Sequence, residues 1–195
     1  LKPETVAKIE GVDVVLGAEQ KKDLLHYLGN LQKHETGEAY TSALKDIRSF
    51  APSCSRGDRT RFFLKVQDGC AHRCTYCIVP STRGKPRSRP VDEIVSEARR
   101  LLQAGHAEIM VSGINLGQYG RGTDTGDFWN LLRTLDAALA PEFAGQARLR
   151  ISSLEPGQLD QQGLDALLAC RMLCPHLHIS LQHGSQAVLK RMGRG

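Results

Sequence analysis

The sequence predicts an α/β fold built around a parallel β-sheet. Short β-branched and aromatic runs alternate with amphipathic helical stretches from residue 62 onwards, and glycines separate them. The chain has 195 residues, 41% of them hydrophobic and 24% charged, which suits one substantial core. No apolar run approaches ~18 residues, so we expect no membrane span.

Four strand–helix units can be counted in this region. The predicted strands are 62–66, 109–111, 149–151 and 177–181, and the predicted helices between them cover 90–103, 128–139 and 164–168. Strands that alternate with helices of this length need crossover connections. Such connections give a parallel sheet with helices on its faces.

The first 31 residues predict a helix, a strand and a second helix. Val12 and the run 14–16 indicate a short buried strand, while Leu24, Leu25 and Leu28 form one apolar helix face. This segment is too small to fold alone, so we interpret residues 1–31 as the remnant of a larger α/β domain. Residues 32–59, where the periodicity fades, predict a linker, which leaves 60–195 as the core domain.

Charge and targeting features exclude some classes of protein. The net charge of +5 and the pI near 9.0 permit an anionic partner such as RNA. The first residues do not resemble a signal peptide, and the sequence lacks an initiator Met, so we interpret the chain as a cytoplasmic fragment. Cys54 lies in the linker without a nearby cysteine, and we expect a solvent-facing or packing thiol.

The strongest motif follows the first predicted strand. Cys70, Cys74 and Cys77 are crowded into eight residues. In a parallel sheet, ligands bind at the carboxyl ends of the strands, where this loop begins. Three thiolates on one loop can converge on one iron–sulfur cluster, whereas structural zinc wants a fourth ligand. A non-enzymatic zinc-binding RNA module, completed by His72 or a distant ligand, remains the alternative.

The flanking residues extend this motif into a family pattern. The C-x3-C-x2-C arrangement has an aromatic residue, Tyr76, before its last cysteine. The further segments are 65–70, 78–84, 87–90, 113–120, 150–156 and 180–185. Together they resemble the radical S-adenosylmethionine methylthiotransferases, and residues 3–28 are similar to the end of that family's N-terminal domain. The resemblance covers nearly the whole chain outside the linker.

Three branches of this family differ in substrate. They modify isopentenyl-adenosine in tRNA, an aspartate of a ribosomal protein, or threonylcarbamoyl-adenosine in tRNA. Segments 113–117, 152–156 and 178–182 are most similar to the third branch. Ala71, His183 and Gln186 depart from the residues usual in the family at these positions.

The resemblance implies a fold, cofactors and partners. The fold is an incomplete radical-type (β/α)6 barrel preceded by the remnant of the N-terminal domain. The cysteine triad holds a [4Fe–4S] cluster whose open iron binds S-adenosylmethionine, and the intact protein carries a second [4Fe–4S] cluster. The enzyme adds a methylthio group at C2 of N6-threonylcarbamoyladenosine near the anticodon. The expected partners are tRNA and an electron donor of the flavodoxin or ferredoxin type, with no membrane and no DNA.

Six residues are candidates for contact with S-adenosylmethionine. They are Tyr76, Gly113, Ile114, Asn115, Ser153 and Gln182. The backbone of 113–115 is placed for the methionine moiety, Gln182 for the ribose, and Ser153 for the ligand more generally. A tight turn at Gly113 and ordinary solvation of polar strand ends are the alternative explanations. No catalytic side chain can be assigned with certainty.

The sequence contains two further clusters of functional residue types, one of cysteines and histidines and one of basic residues. Cys170, Cys174, His176 and His178 have the residue types of a metal site, although structural burial is the better interpretation because cysteine is among the most buried residues. Arg83, Lys85, Arg87 and Arg89 form a basic loop without an intervening acid. This loop is placed to follow RNA phosphates or simply to face solvent.

Overall fold

The computed structural model describes residues 2–43, 46–47, 50 and 61–194. Within these residues the predicted α/β architecture is confirmed. Cys54 and part of the predicted linker lie outside the described residues. The domain boundaries at 31/32 and 59/60 therefore stay predictions.

The N-terminal segment forms a helix, a strand and a second helix, as predicted. Helix α1 covers Pro3–Ala7, strand β1 Val14–Leu16, a 3-10 turn Gln20–Asp23 and helix α2 Leu24–Gly29. A further strand, β2, covers Glu38–Tyr40 and pairs parallel with β1. This strand lies inside the predicted linker, and its three residues are too few to show a periodicity.

The predicted burial of this segment is wrong. Strand β1 is half-exposed along its length, and Leu25 on α2 is 83% exposed. The reason is the size of the unit, since a two-stranded sheet offers too little surface to cover a helix face.

The core is a four-stranded sheet. Strand β3 covers Phe62–Asp68, β4 Arg87–Ser88, β5 Glu108–Gly113 and β6 Arg148–Ile151, in the spatial order β4-β3-β5-β6. The pairs β3–β5 and β5–β6 are parallel, and the two-residue β4 is antiparallel to β3. The register of β3 against β5 shifts between Lys65 and Gln67. This irregularity ends the in–out alternation of β3 and leaves Val66, Gln67 and Asp68 all buried.

Helices connect the strands where the periodicity predicts them. Helix α4 covers Val91–Gln103, α5 Phe128–Phe143 and α6 Gln161–Ala169; two short helices, α3 Val79–Arg83 and α7 Gln186–Arg191, were not predicted. Carboxylates begin α5 and α6, because Asp127 accepts a hydrogen bond from the Asn130 N–H and Asp160 from the Gly163 N–H. The buried faces of α4 and α5 pack on β3, β5 and β6 in one hydrophobic core.

The fourth predicted strand, 177–181, does not form a regular strand. The chain meets β6 and its continuation at two isolated parallel bridges, Leu149 with Leu173 and Leu154 with Ile179. Between them Pro175 has no N–H to donate, and among the described residues no strand pairs with the outer side of this segment. Leu177, Ile179 and Leu181 are accordingly 37%, 41% and 59% exposed.

The helices of the described residues are short or amphipathic. None of them is long and apolar enough to cross a membrane.

Core packing can be tested at Leu135, which is fully buried on α5. We expect Leu135→Ala to lower the free energy of unfolding by about 2–5 kcal/mol, because truncation leaves a cavity among packed side chains. Chemical denaturation monitored by circular dichroism measures this.

The matched control is Leu168→Ala on α6, where the side chain is 85% exposed. We expect a change of about 0.5 kcal/mol or less. Equal destabilisation of the two variants would contradict the packing described here.

Candidate functional site

The cysteine loop begins at a glycine that no other residue can replace without strain. Gly69 directly follows β3 and has φ +77°. A Cβ atom there would lie 2.1 Å from the carbonyl oxygen of Lys85. The neighbouring Cys70 N–H donates to the Gly84 carbonyl at 3.1 Å, so the start of the loop is held against residues 84–85. The loop thus leaves the carboxyl end of β3 in a fixed direction.

Backbone hydrogen bonds also shape the rest of the loop. The Cys77 N–H donates to the Cys74 carbonyl at 3.0 Å, which brings the last two cysteines into one turn. The Thr75 N–H donates to the Met192 carbonyl at 3.0 Å. All three cysteines of the triad are free and half-exposed, as ligands that must meet a cofactor need to be.

The triad does not form a ready-made site for a single metal ion. Among the described residues, no three His, Cys, Asp or Glu side chains are arranged to hold one metal ion. A cubane cluster does not require such convergence, because each thiolate binds a different iron atom. The donor set, three thiolates on one short loop at the sheet edge, fits a cluster with one open iron. That Cys70, Cys74 and Cys77 are its ligands stays a prediction.

Gln118 links the cysteine loop to the strand beside it. Its side chain is 4% exposed and lies on the 3-10 turn Leu116–Gln118 that follows β5. The side-chain oxygen accepts the Ala71 N–H at 2.8 Å, and the side-chain nitrogen lies 3.7 Å from Cys70 Sγ. The His72 N–H also points to this sulfur, at 3.4 Å. Two N–H groups therefore face the Cys70 sulfur and would stabilise negative charge on it.

A second glutamine holds the backbone on both sides of the sheet edge. Gln67 is completely buried. Its Nε2 donates to the carbonyls of Asp68 and Gly69, at 3.0 and 2.8 Å, and its Oε1 accepts the Asn115 N–H at 2.9 Å. This side chain joins the start of the cysteine loop to the turn after β5.

The chain of amides continues to the third strand. Asn115 is 6% exposed, and its Oδ1 accepts a hydrogen bond from Gln158 Nε2 at 2.7 Å. Its Nδ2 donates to Glu155 Oε1 at 3.3 Å. Both polar ends of the Asn115 side chain are thus bound within the protein. Its backbone N–H and carbonyl are likewise bonded, to Gln67 and to the Gln118 N–H, so the contact of this residue with S-adenosylmethionine stays a prediction.

The Glu155 carboxylate contacts basic side chains from two other segments at this edge of the sheet. Its carboxylate lies 2.7 Å from Arg194 Nη2 and 3.5 Å from His72 Nδ1. Arg194 in turn donates to the Tyr76 hydroxyl at 3.0 Å. The segment after α7 is therefore tied both to Glu155 and to the cysteine loop.

The remaining candidates lie at different places around this edge. A Cβ on Gly113 would meet Leu116 Cδ2 at 2.8 Å and Gln67 Cβ at 3.0 Å, so any side chain there would have to displace one of these neighbours. Ile114 and Tyr76 are 38% and 54% exposed. Ser153 is half-buried on the continuation of β6.

Gln182 differs from these residues in its backbone. It is exposed and has φ +64°, the one non-glycine residue with a positive φ among those that the structure describes. Such a conformation costs ~1–2 kcal/mol in an L-residue. Its role toward the ribose stays a prediction.

Two cavities border the cysteine loop. One, of about 590 Å³, lies between Asn115, Gln118 and the residues around Gly126. The other, of about 460 Å³, lies between Arg73, Ser180 and Arg194. His72 and Glu155 line both. Ser153 and Gln182 line neither.

The basic loop contains no acid of its own, but the fold brings acidic partners to three of its residues. The buried Asp68 accepts a hydrogen bond from Lys65 at 2.6 Å and lies 3.4 Å from Arg83 and 3.6 Å from Arg87. Although burial alone would raise the pKa of Asp68, the Lys65 hydrogen bond and the nearby arginine lower it below its ordinary value. Arg89 pairs with Glu93 at 3.2 Å. The contact between Asp68 and Arg83 could not be predicted from the sequence, because the two residues lie 15 positions apart.

The second cysteine cluster divides into buried thiols and exposed imidazoles. Cys170 and Cys174 are 9% and 4% exposed, whereas His176 and His178 point to solvent. Burial and the neighbouring Asp136 raise the pKa of the Cys170 thiol to about 11, which makes it a poor metal ligand.

The fold and this edge define a class. A parallel sheet whose first strand leads into a C-x3-C-x2-C loop, with buried amides that hold the loop, is the framework of an iron–sulfur site at a sheet edge. The profile of the Radical SAM superfamily matches residues 64–195. The chain belongs to that superfamily.

Curated relatives and a solved structure extend this result. The chain is 36% identical to the threonylcarbamoyladenosine tRNA methylthiotransferase MtaB of Bacillus subtilis, over 98% of this chain and 42% of the relative. It is 34% identical to the tRNA-2-methylthio-N(6)-dimethylallyladenosine synthase of Syntrophomonas wolfei, over 98% and 43%. The chain thus spans less than half the length of these relatives.

The radical S-adenosylmethionine methyltransferase TsrM from Kitasatospora setae has a similar fold. The TM-score is 0.55 at 18% identity, over 68% of this chain and 24% of that one. This likeness confirms the fold alone.

The cysteine assignment predicts a clear loss of function. Replacing Cys70, Cys74 or Cys77 singly with Ala should strip iron and sulfide from the anaerobically reconstituted protein and abolish S-adenosylmethionine cleavage, because three ligands leave no spare thiolate. Iron, sulfide and zinc analysis, together with deoxyadenosine release, measures this.

The control is the double replacement of Cys170 and Cys174 with Ala, which should keep near-normal iron. Unchanged iron in the three single variants, or zinc without sulfide in the wild type, would refute the cluster assignment.

Gln118→Leu should weaken cluster retention by about 10- to 100-fold, because the variant loses the amide that holds the Ala71 N–H and faces Cys70. Iron content after chelator challenge measures this. Gln103→Leu, at an exposed position at the end of α4, is the matched control. Identical iron loss in the two variants would show that Gln118 does not support the loop.

Proposed function

We propose that the protein is a radical S-adenosylmethionine tRNA methylthiotransferase that acts at C2 of N6-threonylcarbamoyladenosine near the anticodon. The observation that carries this is the cysteine loop at the carboxyl end of β3, in a chain similar to curated tRNA methylthiotransferases over almost its full length. Methylthiolation itself is carried over from those relatives.

The proposed cofactor is a [4Fe–4S] cluster held by Cys70, Cys74 and Cys77, with S-adenosylmethionine on its open iron. When bound and reduced, these groups supply a deoxyadenosyl radical that removes hydrogen from an unreactive C–H bond. The protein's own part is to orient and to shield. Gln118 and the His72 N–H face the Cys70 sulfur, and Gln67 fixes the two backbone segments that meet at the edge.

S-adenosylmethionine has an amino group, a carboxylate and a ribose, and the edge offers partners for each. Glu155 supplies a carboxylate and Arg194 a guanidinium, 2.7 Å apart. The proposed contacts of the methionine moiety are backbone atoms of 113–115, with Tyr76, Ser153 and Gln182 as further proposed contacts of the ligand. The ligand would compete with the Glu155–Arg194 pair for either charge.

The choice of substrate branch rests on residues of this chain. Relatives that act on threonylcarbamoyladenosine and on dimethylallyladenosine match at similar identity, 36% and 34%. The segments 113–117, 152–156 and 178–182 favour the first. A pocket made for a carboxylate-bearing threonyl group leaves polar groups unpaired against an apolar isopentenyl chain, at ~1–3 kcal/mol for each group.

The proposal includes partners and a location. The substrate is tRNA, the electron donor is of the flavodoxin or ferredoxin type, and the intact protein carries a second [4Fe–4S] cluster on residues outside this chain. The reaction belongs in the cytoplasm.

Deletion of the gene in its host tests the substrate. We expect tRNA from the deletion strain to lack the methylthio group on threonylcarbamoyladenosine, while methylthiolated isopentenyl-adenosine and ribosomal aspartate are kept. Mass spectrometry of digested tRNA and of ribosomal protein measures this.

A plasmid copy of the gene should restore the modification, and a copy with Cys74→Ala should not. If the threonylcarbamoyl form stays methylthiolated while the isopentenyl form loses its group, the branch assignment is wrong and the chemistry stands.

A further inference from the structure

Three arginines line a cavity at the amino-terminal edge of the core sheet, and another arginine, whose side chain is 11% exposed, lies beside them. The cavity has a volume of about 550 Å³, and Arg61, Arg148 and Arg171 line it. Arg150 lies two residues further along the strand of Arg148. Strand β5 runs from Glu108 at this edge to Gly113 beside the cysteine loop, so the two edges are ~17 Å apart. The arginine cluster is therefore separate from the site described above.

A buried glutamate holds three of these arginines in place. Glu108 is 4% exposed. Its Oε1 lies 2.9 Å from Arg61 Nε and 2.7 Å from Arg150 Nε, and its Oε2 lies 2.6 Å from Arg148 Nε. Although burial alone would raise the pKa of Glu108, the hydrogen bonds from Arg150 and Arg148 lower it below its ordinary value. Glu108 is thus ionised at neutral pH.

The fourth arginine is fixed in the same way by another buried acid. Arg171 Nε lies 2.9 Å from Asp136 Oδ2, and its Nη2 donates to the Asp136 carbonyl at 3.3 Å. Asp136 is 7% exposed. Both acids are buried, and the three arginines that line the cavity lie between them and solvent.

This arrangement leaves positive charge at the surface. Four guanidinium groups face two carboxylates, so two positive charges are in excess. The side chains of Arg61, Arg148 and Arg171 are 53%, 55% and 56% exposed. Arg61 and Arg148 use only Nε toward Glu108, and within the part of the chain that the structure describes their Nη groups have no hydrogen-bond partner. Each therefore keeps the forked end that binds oxyanions.

We propose that this cluster binds the phosphodiester backbone of the substrate tRNA, away from the base that reacts. Guanidinium forks match phosphate geometry, and the buried acids pre-order them, which lowers the entropy cost of binding. The proposal rests on the proposed function, because that function supplies the RNA. Among the residues that the structure describes, the lining of the cavity contains no aromatic side chain, so these residues do not supply the anchors typical of a protein interface.

A purely structural role is the competing explanation, since the same ion pairs join β5 and β6. The two explanations predict different effects of arginine removal on the salt dependence of tRNA affinity. A phosphate bound by an arginine releases counterions, so removing one such arginine should reduce the salt slope of tRNA binding by about 0.7–0.9. Removing a structural ion pair changes stability and leaves that slope unchanged.

The test is tRNA binding by fluorescence anisotropy across a salt series, with the double variant Arg61→Gln/Arg148→Gln. Arg150 still pairs Glu108 in this variant. We expect affinity for unmodified tRNA at ~0.1 M salt to fall about tenfold and the salt slope to decrease by about 1–2. Circular dichroism checks that the variant is folded, and Arg148→Gln alone replaces it if the double variant is not.

The control is Arg100→Gln/Arg133→Gln, which removes the same charge from exposed positions on α4 and α5. We expect its affinity to stay within about twofold of the wild type and its salt slope to be unchanged. An equal fall in affinity in the two double variants would overturn the proposal, because net charge and not this cluster would then determine binding.

Two further measurements distinguish tRNA phosphates from free phosphate as the ligand, and failure of this proposal from failure of the proposed function. Inorganic phosphate, followed by the ³¹P linewidth, should bind only weakly; binding as tight as that of tRNA would identify a small-anion site and overturn the proposal. S-adenosylmethionine cleavage without RNA should be equal in wild type and double variant. If the wild type does not bind tRNA at all, both the proposed function and this proposal are wrong. If the wild type binds tRNA and the Arg61→Gln/Arg148→Gln variant binds it equally well, only this proposal is wrong.

Discussion

The candidate site depends on the hydrogen bonds of one buried amide. Gln67 donates to the Asp68 and Gly69 carbonyls and accepts from the Asn115 N–H, so it joins the ends of β3 and β5. A fully buried amide without these partners would cost ~1–3 kcal/mol for each unpaired group. The path of the cysteine loop and that of the turn after β5 are therefore set together. Gly69 then directs the loop away from the sheet, because the Lys85 carbonyl leaves no room for a side chain.

Buried carboxylates organise the charges at both edges of the sheet. Asp68 near the cysteine loop and Glu108 at the opposite edge each lie within 4 Å of three basic side chains. A buried charge is stable only when it is paired, so each carboxylate fixes the basic groups around it. The consequence differs between the edges. At Asp68 the pairing leaves the Arg87 side chain 12% exposed and that of Arg83 42% exposed, whereas at Glu108 the side chains of Arg61 and Arg148 stay 53% and 55% exposed.

The sequence predicted most of the core and little of the peripheral structure. Strands β3, β5 and β6 and helices α4 and α5 follow from apolar periodicity, because each buries its apolar residues. Helix α6 forms where it was predicted, although Leu164 and Leu168 on it are 43% and 85% exposed. The strand predicted for 177–181 failed, since alternating apolar residues do not ensure a partner on both sides. Strands β2 and β4 were missed because two or three residues carry no detectable period. The exposed leucines of α2 have the same pattern as a buried face, so the pattern alone did not distinguish them.

For the site, the sequence by itself determined the three cysteines, their place after a strand and the family pattern of the surrounding segments. These are local features, fixed by spacing along the chain. Only the tertiary structure decided which polar groups meet the loop. Gln67 and Gln118 became visible as its supports once the register shift in β3 and the turn after β5 placed them there. The same is true of Asp68 beside Arg83 and of Glu108 between Arg61 and Arg148. These partners lie 15 to 48 residues apart, and hydrogen bonds over such separations are set by how the strands pair, which residue types alone do not encode.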